Sequence, residues 1–69
     1  MEFPERLQRL RERRGISRVV LSQLCGFGDG RIRRYERGEQ QPTLQALIVL
    51  ADEFGVSMDY LAGRTNDRN

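Results

Sequence analysis

The chain has 69 residues, of which 38% are hydrophobic and 32% charged, enough for one small domain and too few for a second core or a large internal substrate cavity. Its single cysteine, Cys25, excludes an internal disulfide framework, and no apolar run approaches the roughly 18 residues of a membrane span. The net charge of +2 hides a segregation: residues 5–37 hold ten arginines against four acids, and residues 38–69 hold two arginines against five acids. This asymmetry suggests one half facing a polyanion and one facing solvent, although a helix surface laced with ion pairs accounts for the charge alone equally well. The stretch from Met1 to Glu5 lacks the basic and apolar regions of a secretory signal, so the expected location is cytoplasmic.

Apolar residues recur at three- and four-residue spacing, as in Phe3, Leu7, Leu10 and in Leu44, Leu47, Ile48, Ala51, and no segment alternates like a strand. The first helix is expected from about Pro4 to Arg14, with proline in its first turn and Gly15 past its end. Ser17 is the natural N-cap of a second helix reaching Leu24 or Cys25, with Val19 or Val20, Leu21 and Leu24 as its apolar side. A reciprocal capping box is absent because Val20 stands at the third position.

Gly26-Phe27-Gly28 leads to a third helix from about Asp29 to Arg37, capped by Gly28 or by Asp29 itself. Its inward side is limited to Ile32 and Tyr35 with help from Glu36, which leaves Arg31, Arg33, Arg34 and Arg37 outward. Gln40-Gln41-Pro42 reads as loop and Thr43 as the cap of a fourth helix, Leu44 to Phe54, the most apolar stretch and the expected centre of packing. Ser57 caps a last short helix through Leu61. The expected organisation is a compact all-α, five-helix domain over residues 1–64 with a flexible C-terminal tail at 65–69.

Two short helices joined by a glycine-containing turn, the second basic outward and thinly apolar inward, describe a helix-turn-helix. Gly15-Ile16-Ser17 through Leu21, Gly26-Phe27, Ile32, Tyr35-Glu36-Arg37-Gly38, Pro42-Thr43-Leu44, Leu50-Ala51, Gly55-Val56-Ser57 and Tyr60-Leu61 together resemble the Xre/Cro/lambda-repressor-like helix-turn-helix domain. The resemblance covers roughly residues 3–64. It implies a lambda-repressor-like bundle that docks its third helix in the major groove of double-stranded DNA.

By this resemblance Asp29, Gly30 and Arg34 occupy positions that meet base edges, with Arg31 and Arg33 beside them near bases or phosphates. Arg34 and Arg31 are the favoured readers, since a guanidinium can make two hydrogen bonds to guanine. Arg18 replaces the family's usual glutamine, which points to a phosphate clamp. Gly28 stands where a serine or threonine cap is usual, and Asp29 beside phosphate either favours the helix N-terminus, accepts from cytosine or repels a wrong sequence. Gln40, Gln41 and the helix start at Thr43 offer further phosphate donors, with an ordinary loop as the bland alternative, and Arg37 completes the basic set. The resemblance also implies a structural ion pair between Arg11 and Glu36.

Arg6, Arg9, Arg13 and Arg14 read either as a solvated helix face or as phosphate contacts. Tyr35 is expected in the core with its hydroxyl at the rim, and Cys25 as a buried, inert thiol. Val49, Met58 and Tyr60 look surplus to the core and suit self-association. Histidine is absent and the acids lack metal-ligand spacing, so no catalytic role, metal, cofactor or small-molecule substrate is expected. The sequence thus points to a sequence-specific DNA-binding transcriptional regulator, a repressor by occupancy, acting as a homodimer on an inverted-repeat operator. The alternative is a protein-interaction module or the antitoxin of a toxin–antitoxin pair.

Overall fold

Three hydroxyl side chains start three of the helices. Ser17 Oγ accepts from the Val20 N–H at 3.1 Å, Thr43 Oγ1 from Ala46 at 3.1 Å and Ser57 Oγ from Tyr60 at 3.0 Å, each satisfying a donor that the helix itself leaves free. The computed structural model describes residues 2–67. Its elements are α1 (Phe3–Arg14), α2 (Arg18–Cys25), α3 (Arg31–Glu36), α4 (Leu44–Phe54) and α5 (Met58–Leu61), with no strand among the described residues. The all-α, five-helix expectation holds. Met1, Arg68 and Asn69, at the ends of the expected domain and tail, lie outside the described residues.

Every helix contributes to one core. Phe3, Leu7 and Leu10 from α1 meet Leu21 of α2, Ile32 and Tyr35 of α3, Ala46, Leu50 and Ala51 of α4, and Leu61 of α5. The Tyr35 ring meets Phe3 edge-on at 5.7 Å and Phe27 at 6.2 Å between centroids, a preferred aromatic geometry. The expected position of its hydroxyl is corrected: Tyr35 is fully buried, and its hydroxyl meets no hydrogen-bonding group among the described residues. Tyr60 is likewise no surplus residue, because it packs against the core beneath the Arg6 guanidinium, 4.3 Å above its ring.

Two features of the helix-turn-helix differ from expectation. In α2 only Leu21 is buried, while Val19, Val20 and Leu24 are exposed. The helix meets α3 and α4 along a narrow side on which Leu21 is followed four residues later by the partly buried Cys25, so Val20 and Leu24 look away. The second difference is α3, which starts at Arg31 and not at Asp29 and ends at Glu36, with Arg37 as its C-cap. Its N-cap is neither Gly28 nor Asp29 but Gly30, at φ 77°, a left-handed conformation that a right-handed helix cannot continue and that glycine adopts without steric cost. Residues 28–31 instead form a turn in which the Arg31 N–H donates to the Gly28 carbonyl at 3.4 Å.

The two ends of the domain meet. Gly63, at φ 84°, lies so close to Glu2 that an added Cβ would sit 2.7 Å from the Glu2 Cβ. Arg6 fastens this junction: it is 6% exposed and donates to the Tyr60 carbonyl (2.9 Å), the Thr65 carbonyl (2.6 Å), Asn66 Oδ1 (2.6 Å) and Glu2 Oε1 (2.9 Å). Arg6 is therefore not part of a solvated helix face, and Thr65 and Asn66, expected in the tail, are among its partners.

Candidate nucleic-acid interface

The outward side of α3 follows from its inward one. Ile32, Tyr35 and Glu36 are buried, so helical geometry leaves Arg33 and Arg34 facing out, and both are exposed. Arg31 is partly buried, with its guanidinium 4.6 Å from the Phe27 ring centroid and 5.9 Å from that of Tyr35. Such stacking holds a cation without removing its charge.

Glu36 organises the base of this face. Its Oε2 accepts from Arg11 Nε at 2.6 Å, and its Oε1 accepts from Arg11 Nη2 at 3.2 Å and from Arg18 Nε at 3.0 Å. The carboxylate side chain is 1% exposed and Arg18 about half exposed. Two guanidiniums around one carboxylate leave a positive remainder, and it resides on the accessible partner, Arg18. The hydrogen bonding of Arg11 to Glu36 raises the Arg11 pKa above its ordinary value, against the opposing effect of burial.

The other basic residues divide by partner. Arg37 pairs with Glu39 at 3.1 Å on the surface, and Arg34 Nε donates to the neutral Gln40 Oε1 at 2.8 Å. Arg14 pairs with Glu53 and donates to its carbonyl while covering the Phe54 ring, which fastens the end of α1 to the end of α4. Arg9, Arg13 and Arg33 have no ion pair among the described residues.

Of the residues singled out from sequence, Arg18, Gly28, Asp29, Gly30, Arg33, Arg34, Arg37, Gln41 and Thr43 are exposed, and Arg31 and Gln40 are partly buried. Arg18, Asp29, Gly30 and Arg33 come together around one groove of about 310 Å³ between α2 and the start of α3. Arg37, Gln40 and Gln41 line a second hollow of about 270 Å³ beside Phe3 and Pro4, and Thr43 lines neither. The first groove also contains Ser22 and Gln23, which were not among the residues expected there, and Val19, which was expected on the apolar inner side of α2. Their signal was available: Arg18 and Ser22, and Val19 and Gln23, stand four apart on adjacent rows of one helix.

A helix-turn-helix with a cationic outer face defines a class of DNA-contacting domain. A helix-turn-helix family model matches residues 7–61, and the chain belongs to this Cro/C1-type helix-turn-helix family. It is 34% identical over 93% of its length to the HTH-type transcriptional regulator AnsR of Bacillus subtilis, of which that match covers 55%. It is 32% identical over 94% to an uncharacterized HTH-type transcriptional regulator, YobD, of the same organism (58% covered), and 31% identical over 93% to the cryptic phage CTXphi transcriptional repressor RstR of Vibrio cholerae (57% covered). The chain spans a little over half the length of these curated relatives. No solved structure matches it. Among the described residues no helix is long and apolar enough to cross a membrane.

Proposed function

We propose that this domain is a sequence-specific reader of double-stranded DNA in a transcriptional regulator, with α3 entering the major groove and α2 crossing the phosphate backbone. The observation that carries the reading is the outward placement of Arg33 and Arg34 on a helix anchored by Ile32, Tyr35 and Glu36. Arg34 meets a base edge, Arg31 and Arg33 stand between bases and phosphates, and Arg18 with Arg37 engages phosphate. Gly28, Asp29 and Gly30 form the turn that brings α3 to the groove, and Gln41 with the Thr43 helix start reaches the backbone beyond it. Arg11 and Glu36 hold the frame and contact no DNA.

A single such domain makes few base contacts, so the reading includes a homodimer on an inverted repeat with recognition helices about 34 Å apart, repressing in the cytoplasm by occupancy. The relatives named as regulators and repressors support it. The competing reading, a protein-interaction module such as an antitoxin, is favoured by the exposed apolar side chains of Val19, Val20 and Leu24 on α2.

Salt separates the two. Binding through Z phosphates makes log K fall with log salt at a slope near −0.9Z. Selection from random duplexes followed by affinity measurement at several salt concentrations is expected to return a symmetric motif and a steep slope. No enrichment of any sequence would end the DNA reading in favour of the interaction module.

A further inference from the structure

Arg34 is held differently from the ion-paired arginines around α3. Arg18 and Arg37 lie against carboxylates, whereas Arg34 donates its Nε to a neutral amide oxygen, Gln40 Oε1, at 2.8 Å. That contact fixes the guanidinium without cancelling its charge. It also occupies one of the two forks of the group, leaving the Nη1 and Nη2 edge free.

The turn before α3 makes room for this arrangement. The Arg34 side chain runs back along the helix, as helical side chains do, until Nη1 lies where a Cβ on Gly30 would approach to 3.1 Å. The Arg34 N–H donates to the Gly30 carbonyl at 3.0 Å, so one glycine in a left-handed conformation both starts the helix and accommodates the guanidinium of its fourth residue. The free edge has the geometry to donate to guanine O6 and N7 together.

We propose that Gln40 is a positioning residue for sequence reading: it pre-orients Arg34 across Gly30 so that the Nη1/Nη2 edge addresses a single guanine. This rests on the DNA reading above and deepens it. It also gives Gln40 a role beside phosphate donation: its Oε1 accepts from Arg34, while the Nε2 hydrogens stay available. Ordering a long, flexible side chain before binding removes a cost that the complex would otherwise bear.

The test uses the 69-residue chain and a pool of random-sequence duplexes. The best duplex enriched by the unsubstituted chain, and derivatives with each guanine replaced in turn, are then titrated with Arg34→Ala, Gln40→Ala and Gln40→Glu at two salt concentrations. Both residues lie outside the core, and circular dichroism confirms that each variant folds. Arg34→Ala is expected to erase preference at one G·C pair. Gln40→Ala should lower preference at that same pair by about two- to tenfold, the ordering cost of one side chain, with the salt slope unchanged. Gln40→Glu, which keeps an acceptor, should preserve the preference while weakening all duplexes alike. Retention of full preference by Gln40→Ala overturns the proposal, as does an equal loss on every duplex, the mark of a phosphate contact by the neutral amide. Failure of the unsubstituted chain to enrich any duplex removes the DNA reading and this proposal together, whereas the preceding two outcomes remove only the proposal. In the free chain the Arg34 Nε proton should show slowed exchange by NMR that Gln40→Ala abolishes, and fast exchange in the unsubstituted chain would equally overturn the tether.

Discussion

Arg11 and Glu36 are joined at two points across the contact between α1 and α3, Nε to Oε2 at 2.6 Å and Nη2 to Oε1 at 3.2 Å, with the carboxylate almost sealed from water. A buried pair of this kind offers little net stability over an apolar replacement, yet removal of one partner leaves the other charge desolvated. Arg11→Leu leaves Glu36 only the half-exposed Arg18, so the expected cost in urea unfolding is about 3 kcal/mol, the low end for a broken buried pair, still a large part of the stability of a domain of this size. Arg11→Leu combined with Glu36→Leu should recover part of that loss. A double variant as unstable as the sum of its singles would show that the pair is not coupled.

Arg18 shares the same carboxylate from a half-exposed position. Arg18→Ala should change stability by less than about 1 kcal/mol, since Glu36 keeps Arg11 and exposed ion pairs contribute little. On the proposed phosphate role of Arg18, affinity should fall on all sequences alike, and the salt slope should become shallower by about 0.9, one phosphate contact. A change in base preference would contradict this assignment.

Arg6→Ala removes donors to two backbone carbonyls, Asn66 and Glu2, together with the stacking on Tyr60. The expected loss is about 2–4 kcal/mol, with Arg6→Lys intermediate. Hydrogen exchange locates the effect: amides after Tyr60 should lose protection more than those of α2, and a uniform loss would mean that Arg6 serves the core as a whole.

Tyr35→Phe deletes a buried hydroxyl that meets no hydrogen-bonding group among the described residues and leaves the ring contacts with Phe3 and Phe27 in place. Thermal melting should show a change within about 0.5 kcal/mol or a small gain. A loss of more than about 1 kcal/mol would assign the hydroxyl a stabilising partner.

Burial pushes the Cys25 thiol up, with Glu53 adding to the effect and Arg14 opposing it. A thiol whose folded pKa exceeds its unfolded one contributes stability that is complete below the unfolded value, about 8.5, and is lost as pH rises through the folded one. Melting curves of the unsubstituted chain should fall more steeply above that pH than those of Cys25→Ala. Alkylation at neutral pH should be slower in the folded chain than in urea, and equal rates would contradict the shift.

The five helices, and the starts of α2, α4 and α5, were legible because their signals are local. A hydroxyl cap, a glycine stop and a 3.6-residue apolar rhythm act within a few residues, and so Ser17, Thr43 and Ser57 begin their helices where the sequence places them. The inward trio of Ile32, Tyr35 and Glu36 was equally readable, since a short helix with few apolar residues has only one face to bury. What the tertiary structure decided is where each arginine goes. A guanidinium on a long stem takes whichever acceptor the fold brings within reach, and those acceptors come from distant parts of the chain: Arg6 finds Thr65, Arg14 finds Glu53 and Arg18 finds Glu36. Packing also chose between two equally periodic faces of α2, and the left-handed turn at Gly30 set the start of α3 two residues late. Composition supplied the positive charge; the fold determined which part of it is structural and which part is left exposed on α2 and α3.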